Sequence, residues 1–156
     1  QEIRKPMLNE LLTEQTIQLK DRVSSWEEAI RVASQPLIDL QSIRPDYVDA
    51  MIMNVKELGP YIVIAPNIAI PHARPETGVE QLGMSFLRLK EPVHFSEKEK
   101  HRAQLVIVLA AIDNQTHLKA LAQLTELLSN EDNVEQLISA SDRQTVIELI
   151  KQTIEV

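Results

Sequence analysis

The chain has 156 residues and a net charge of −7, with 44% hydrophobic residues, 3% aromatic residues and no cysteine. This profile is that of one folded domain with an aliphatic core, and it argues against a nucleic-acid binder, which normally carries a basic face. The absence of cysteine excludes disulfides, thiolate nucleophiles and cysteine-ligated zinc.

The sequence carries no targeting or membrane signal. Its longest apolar run, LVIVLAAI at residues 105–112, is too short to span a bilayer, and the N-terminus lacks the apolar core of a signal peptide. We therefore expect a cytoplasmic protein without membrane insertion. We interpret residues 7–156 as the domain, and residues 1–6 as either a tag remnant before a natural start at Met7 or the end of a linker.

The first predicted helix lies within SSWEEAIRVASQPLIDLQ, residues 24–41. Ser24 or Ser25 can serve as its N-cap, and Glu28 completes a capping-box pattern. Apolar residues recur at helical spacing, and we expect Pro36 to bend or shorten the helix. The apolar positions are Trp26, Ile30, Ala33, Leu37 and Leu40.

A second helix is predicted within residues 44–59, RPDYVDAMIMNVKELG. Pro45 suits the first helical position, and Gly59 suits the residue after the C-terminus. The predicted buried stripe comprises Val48, Met51, Ile52 and Val55.

Four short runs after this helix are typical of strands: YIVI, IAI, LGMSFLRLK and LVIVLAAI. The last run is apolar throughout, which indicates a central strand covered on both faces. Three further helices are predicted in QTHLKALAQLTELLS, NVEQLISA and RQTVIELIKQ, the first capped by Asp113 or Asn114 and the third by Ser141 or Asp142. This order of elements predicts an α/β fold in which a mixed sheet is sandwiched between helices.

The charged run KEPVHFSEKEKHR, residues 90–102, mixes both signs of charge, and we predict a solvated loop there. Two of the four histidines, His94 and His101, fall within this run. We interpret both as exposed residues without a function, because surface histidines are usually only solvated.

His72 has a more constrained context, since Pro71 precedes it and Pro75 follows two residues after Ala73. Each proline pushes the residue before it toward an extended backbone, so the histidine is stiffened from both sides on a loop that leaves a strand. Such loops often carry functional side chains. The alternative is a histidine that merely lies beside a turn at a sheet edge.

His117 lies in the first turn of the helix after the central strand, on the same face as Leu121, Leu124 and Leu128. Considered alone, it fits a hydrogen-bonded core histidine. However, His72 and His117 both follow strand ends, where ligand crevices form in open α/β sheets. If the two ends are adjacent, the imidazoles meet beside a helix N-terminus, which favours an anion, and Arg74 can add a grip on phosphate.

Other site chemistries lack their sequence patterns. No HExxH, His-x-His or cysteine supplies a third ligand for a zinc ion held by the two histidines, and there is no GxSxG elbow, no P-loop and no GxGxxG. Two imidazoles, an arginine and a helix N-terminus suit a phosphoryl group carried on a histidine nitrogen. We predict neither a metal nor a cofactor.

The segment APNIAIPHARPETGV, together with LVIVLAAIDNQTHLKALAQLTELL, resembles the enzyme IIA components of the bacterial phosphoenolpyruvate-dependent sugar phosphotransferase system (PTS). The resemblance covers nearly the whole chain and is to the mannitol/fructose-type fold group. PHARPE, EPVHF and LAAIDNQTHL look most like the ascorbate-type enzyme IIA.

This resemblance implies that His72 accepts a phosphoryl group from the phosphocarrier HPr and passes it to a cysteine of the cognate enzyme IIB, which works with the membrane component IIC. It implies that His117 stabilises the phosphoryl group. Mannitol-type members place an arginine on the second helix, where this chain has Asn54, with Lys56 two residues on. Arg74 is our candidate replacement.

The implied role is phosphoryl transfer for the uptake of a sugar or of L-ascorbate. The alternative is a regulatory PTS domain of a transcription antiterminator or activator, whose phosphorylation state is sensed by the attached regulator. The transported molecule does not follow from this chain, because an enzyme IIA need not touch it. The sequence also leaves a homodimer open.

Overall fold

The protein is described by a computed structural model that covers residues 8–154. Its helices are α1 (Leu8–Leu11), α2 (Trp26–Asp39), α3 (Pro45–Leu58), α4 (Asn114–Leu128), α5 (Glu131–Ser139) and α6 (Arg143–Ile154). Its strands are β1 (Ile17–Lys20), β2 (Val63–Ala65), β3 (Asn67–Ala69), β4 (Gly83–His94) and β5 (Arg102–Ala110). Short 3₁₀ turns lie at Pro75–Thr77 and Glu99–His101. Within these residues, no helix is both long and apolar enough to cross a membrane.

The strands form one sheet in the order β1-β4-β5-β3-β2. The pairs β1–β4 and β3–β5 are parallel, whereas β4–β5 and β2–β3 are antiparallel. The predicted mixed sheet is therefore confirmed. Because β3 and β5 are parallel neighbours, their carboxyl ends lie at the same edge of the sheet, and this edge carries the candidate site.

Helices cover both faces of the sheet, as its central strand requires. Strand β5 alternates its side chains between two hydrophobic cores, and each core is closed by a different set of helices. Its residues on the α2–α3 side are Val106, Val108 and Ala110. Its residues on the side of α1, α4, α5 and α6 are Leu105, Ile107 and Leu109.

Helix α2 continues past its proline to Asp39, so of the two expected outcomes, a bent or a shortened helix, the shortened helix is wrong. A proline has no amide hydrogen to donate to the carbonyl four residues earlier, which here belongs to Val32. The side-chain amide of Gln18 donates to this carbonyl at 2.7 Å and replaces the missing helical bond. The N-cap prediction is confirmed at Ser25, whose hydroxyl accepts a bond from the backbone of Glu28.

The charged run at residues 90–102 is not a loop throughout, contrary to the prediction. Strand β4 extends to His94, and β5 begins at Arg102. Val93 and Phe95 are buried, with the Phe95 ring centroid 5.9 Å from that of Trp26. Apolar residues that alternate with the charged ones thus anchor the run to the core.

The two histidines of this run lie away from His72. His94 is half exposed and has Nε2 3.5 Å from a carboxylate oxygen of Glu99. His101 is only partly exposed, and its Nδ1 lies 2.6 Å from the hydroxyl of Ser96. The expectation of an exposed, merely solvated residue is therefore wrong for His101, which is held by this hydrogen bond.

Candidate functional site

His72 and His117 meet at the carboxyl ends of β3 and β5. Their ring centroids are 5.3 Å apart, and the rings are inclined by 55°. Both side chains are half buried at one cleft of about 230 Å³. The lining residues are Asn54, Tyr61, His72, Ala73, Arg74, Pro75, Asp113, Asn114 and His117. The expected convergence of the two imidazoles is thus present in the structure.

The backbone fixes how the ring of His72 is presented. Its Nδ1 lies 2.8 Å from the carbonyl oxygen of Ile70. A carbonyl can only accept a hydrogen bond, so Nδ1 carries the hydrogen of the neutral ring. The lone pair is therefore on Nε2, and this nitrogen is the nucleophilic atom of the ring.

His117 is half buried rather than a core residue, although Leu124 and Leu128 on its helix face are buried as predicted. Burial of the ring, and secondly the positive charge that His72 can carry, lower the pKa of His117 below its ordinary value. The neutral form of His117 is therefore favoured near neutral pH. An anion bound beside it would act in the opposite direction and favour the protonated, donating form.

The start of α4 lies beside both rings and is well defined. Asp113 is the N-cap, as predicted, and its carboxylate accepts a hydrogen bond from the amide of Thr116 at 2.8 Å. The backbone amide of Asp113 in turn donates a hydrogen bond to the Thr116 hydroxyl, which completes a capping box. The helix N-terminus places partial positive charge next to the cleft.

Arg74 is exposed at the rim of the cleft and precedes the 3₁₀ turn Pro75–Thr77. The Thr77 hydroxyl donates to the Arg74 carbonyl at 2.6 Å, so the turn braces the backbone of this residue. Asn54 also lines the cleft, whereas Lys56 is exposed on α3 outside it. Of the three candidate substitutes for the family's arginine, two therefore border the histidines.

Sequence reasoning missed Tyr61, which lies against His72. The two ring centroids are 5.6 Å apart in an edge-on arrangement of 85°, and the Tyr61 hydroxyl donates to the His72 carbonyl at 3.3 Å. The Asn54 side chain makes a hydrogen bond to the same hydroxyl. Partial burial, the larger influence, raises the pKa of Tyr61 although this bond lowers it. The tyrosine is therefore a neutral donor near neutral pH.

Tyr47 was also missed, since the helical pattern does not distinguish it from the core residues around it. It is fully buried on α3 and reaches the backbone beside His72.

As for metals, the described residues 8–154 contain no cluster of three or more histidine, aspartate or glutamate side chains that could hold an ion.

Comparisons with known proteins found relatives that cover nearly the whole chain. Residues 10–153 match the model of the family described as phosphoenolpyruvate-dependent sugar phosphotransferase system, EIIA 2. The ascorbate-specific PTS system EIIA component of Escherichia coli K12 is 33% identical over 144 residues, which are 92% of this chain and 94% of that protein.

Two solved structures are also similar. The cryptic mannitol-specific enzyme IIA of Escherichia coli superposes with a TM-score of 0.86 at 33% identity, over 94% of this chain and 99% of that one. The mannitol enzyme IIA of Escherichia coli, solved in complex with phosphorylated enzyme IIB, gives a TM-score of 0.80 at 32% identity, over 91% and 99%.

Proposed function

The chain belongs to the EIIA 2 family of the phosphoenolpyruvate-dependent sugar phosphotransferase system, and we propose that it carries a phosphoryl group on Nε2 of His72. Members of this family transfer phosphoryl groups and act with a cognate enzyme IIB. In our proposal the protein works in the cytoplasm, with HPr as the donor and a cysteine of enzyme IIB as the acceptor. The single observation that carries the proposal is the pairing of His72, oriented with Nε2 unprotonated, and His117.

The proposed reaction has two displacements at phosphorus. In the first, Nε2 of His72 attacks the phosphoryl group, and the bond that held the group on HPr breaks as the Nε2–P bond forms. In the second, the cysteine thiolate of enzyme IIB attacks the same phosphorus, the Nε2–P bond breaks, and its electron pair returns to the ring. The hydrogen bond from Nδ1 to Ile70 supports this cycle because it holds the ring in one tautomer and one orientation throughout.

The surroundings suit the charge of the intermediate. A phosphoryl group brings about −1.5 to −2 charge near neutral pH. Protonation of His117 would neutralise part of that charge, and the N-terminus of α4 adds partial positive charge. We assign Arg74 a weaker role at the rim, where its guanidinium can reach an oxygen of the phosphoryl group from solvent.

The surface beside the cleft suits protein partners. Leu118 and Ile112 are 65% and 52% exposed on either side of the α4 N-terminus, and Met53 on α3 is 51% exposed. Apolar side chains at the centre of a contact, surrounded by charged residues, are typical of protein interfaces. We propose that HPr and enzyme IIB use this face in turn, and that the acidic balance of the chain favours the approach of basic residues of HPr.

The relative from Escherichia coli K12 is named as ascorbate-specific, and we propose L-ascorbate, or otherwise a sugar, as the molecule whose uptake this protein energises. The chain need not touch that molecule, because the phosphoryl group leaves on enzyme IIB. Growth on L-ascorbate after deletion of the coding sequence tests this choice, and unchanged growth and uptake would contradict it.

The phosphoryl-carrier proposal is tested by incubating the protein with phosphoenolpyruvate, enzyme I and HPr, followed by mass spectrometry. We expect a gain of one acid-labile phosphoryl group that depends on HPr. The gain should disappear in His72→Ala and persist in His94→Ala, a matched control on the exposed end of β4. Equal phosphorylation of the His72→Ala variant would overturn the proposal.

A further inference from the structure

The hydroxyl of Tyr47 joins three parts of the fold beneath the candidate site. Tyr47 lies in the first turn of α3 with no exposed surface. Its hydroxyl accepts a hydrogen bond from the amide of Ala73 at 3.0 Å and donates to the carbonyl of Leu109 at 2.7 Å. The Ala73 carbonyl lies farther from the hydroxyl, at 3.3 Å. A single side chain therefore connects α3, the His72 loop and the end of β5.

The other side of His72 is tied to the same residue of β5. The amide of Leu109 donates to the carbonyl of Pro71 at 3.1 Å. Leu109 thus holds Pro71 directly and Ala73 through Tyr47. Both residues that flank His72 are therefore anchored to the same residue of the central strand β5. Helix α4, which carries His117, begins only a few residues after that point.

We propose that Tyr47 is a positioning residue that sets the ring of His72 relative to His117 for phosphoryl transfer. This inference rests on the function proposed above. Transfer reactions are sensitive to such placement, because a displacement of about 1 Å can reduce a rate by about 100-fold. The hydroxyl, rather than the ring, carries the role: a phenylalanine would fill the same space but leave the Ala73 amide and the buried Leu109 carbonyl without this partner.

Two further observations support the arrangement. Burial raises the pKa of Tyr47 to about 12, so the hydroxyl stays neutral and keeps its proton for Leu109. The loop after His72 also packs on the backbone of Tyr47: a Cβ at Gly78, whose φ is +153°, would lie 2.8 Å from the Tyr47 nitrogen. The amide of Arg44 donates to the Gly78 carbonyl at 2.8 Å, which fixes the far end of the same loop.

The test compares wild type with Tyr47→Phe and Ser85→Ala. The control also removes a fully buried hydroxyl, which bonds to the carbonyl of Ala33 in α2 rather than to the His72 loop. Transfer from phospho-HPr is measured at varied phospho-HPr concentration. For Tyr47→Phe we expect the maximal rate to fall about tenfold or more, with the half-saturating concentration unchanged, because the docking surface is intact. Ser85→Ala should transfer at the wild-type rate.

A loss of stability alone would not change how His117 titrates in the folded protein. In Tyr47→Phe we expect the pKa of His117, followed by NMR, to move up toward its ordinary value, because the ring loses part of its burial and its proximity to His72. Wild-type transfer kinetics and an unchanged His117 titration in a folded Tyr47→Phe protein would overturn the inference. If the wild type itself were not phosphorylated on His72, the proposed function would fail instead.

If Tyr47→Phe does not fold, hydrogen exchange in the wild-type protein tests whether Tyr47 holds the His72 loop. The amide of Ala73 should exchange with deuterium at least about tenfold more slowly than in an unstructured peptide of the same sequence, because it is bonded to a buried hydroxyl. Exchange at the peptide rate would show that Tyr47 does not hold this loop, and would overturn the inference.

Discussion

The imidazole rings of His72 and His117 lie 5.3 Å apart, between centroids, at the shared end of two parallel strands. One ring is held by a backbone carbonyl so that Nε2 is available, and the other ring is kept neutral by burial and by its neighbour. The pair is therefore asymmetric before any phosphoryl group arrives. This asymmetry leads to different expectations for the two residues.

Replacement of His117 should separate acceptance from delivery of the phosphoryl group. In His117→Ala we expect His72 still to be phosphorylated, because its own orientation depends on Ile70. Onward transfer to enzyme IIB should slow by about 10- to 100-fold, since the developing charge loses a hydrogen-bond donor. Single-turnover transfer from the phosphorylated protein to enzyme IIB measures this step. A transfer rate equal to wild type would contradict the role given to His117, and His101→Ala provides a control.

The lowered pKa of His117 predicts a dependence of stability on pH. The unfolded chain takes up a proton at this residue near the ordinary value of 6.5, before the folded protein does, so folding loses free energy as the pH falls through that range. The penalty is absent well above 6.5 and stops growing once the folded residue is also protonated. Urea unfolding at about pH 7.5 and 5.5 should show a smaller loss for His117→Gln than for wild type. Equal losses would indicate that His117 titrates normally in the folded state.

Arg74→Ala tests the arginine at the rim of the cleft. Because the side chain is exposed, we expect only about a two- to fivefold slower phosphorylation by phospho-HPr, with the difference shrinking at high salt. Arg31→Ala, which removes an exposed arginine of α2 outside the cleft, is the matched control. If both variants behave like wild type, the assignment of Arg74 as a phosphate-binding residue should be dropped.

The hydrogen bond from Gln18 to the Val32 carbonyl replaces the helical bond that Pro36 cannot make, and this replacement can be tested. Gln18→Ala should lower the free energy of unfolding by about 1 kcal/mol, because the Val32 carbonyl loses its donor. In a Pro36→Ala background the same change should cost less, since the new amide at position 36 can donate to that carbonyl. Urea unfolding of the four proteins gives the coupling between the two positions. Additive effects would mean that Gln18 does not substitute for the helical bond.

Much of the fold could be predicted because its signals are local. Continuous apolar character indicated β5 as the central strand. Pro45 and Gly59 indicated the two ends of α3. Strand β1 was not predicted, since its four residues gain their pairing only from the distant β4. The charged run was assigned to a loop because it mixes both signs of charge, whereas the structure buries Val93 and Phe95 between its polar residues.

The residues of the candidate site likewise fall into those with a local sequence signal and those without one. His72 and His117 could be selected from flanking prolines, strand ends and family resemblance. Tyr47 and Tyr61 could not, because each bonds to a backbone group of the His72 loop, 26 and 11 residues away in sequence, that only the fold brings to it. The place of Asn54 beside Tyr61 likewise depends on the packing of α3 against the loop, which no periodicity reveals.

The central claim is that one particular atom, Nε2 of His72, is the one that becomes phosphorylated. NMR of protein labelled with ¹⁵N and phosphorylated through HPr tests it directly, since the nitrogen bonded to phosphorus shows a scalar coupling to ³¹P. We expect that coupling at Nε2 of His72, with Nδ1 still protonated and His117 unmodified. A coupling at Nδ1 of His72, or at either nitrogen of His117, would contradict it.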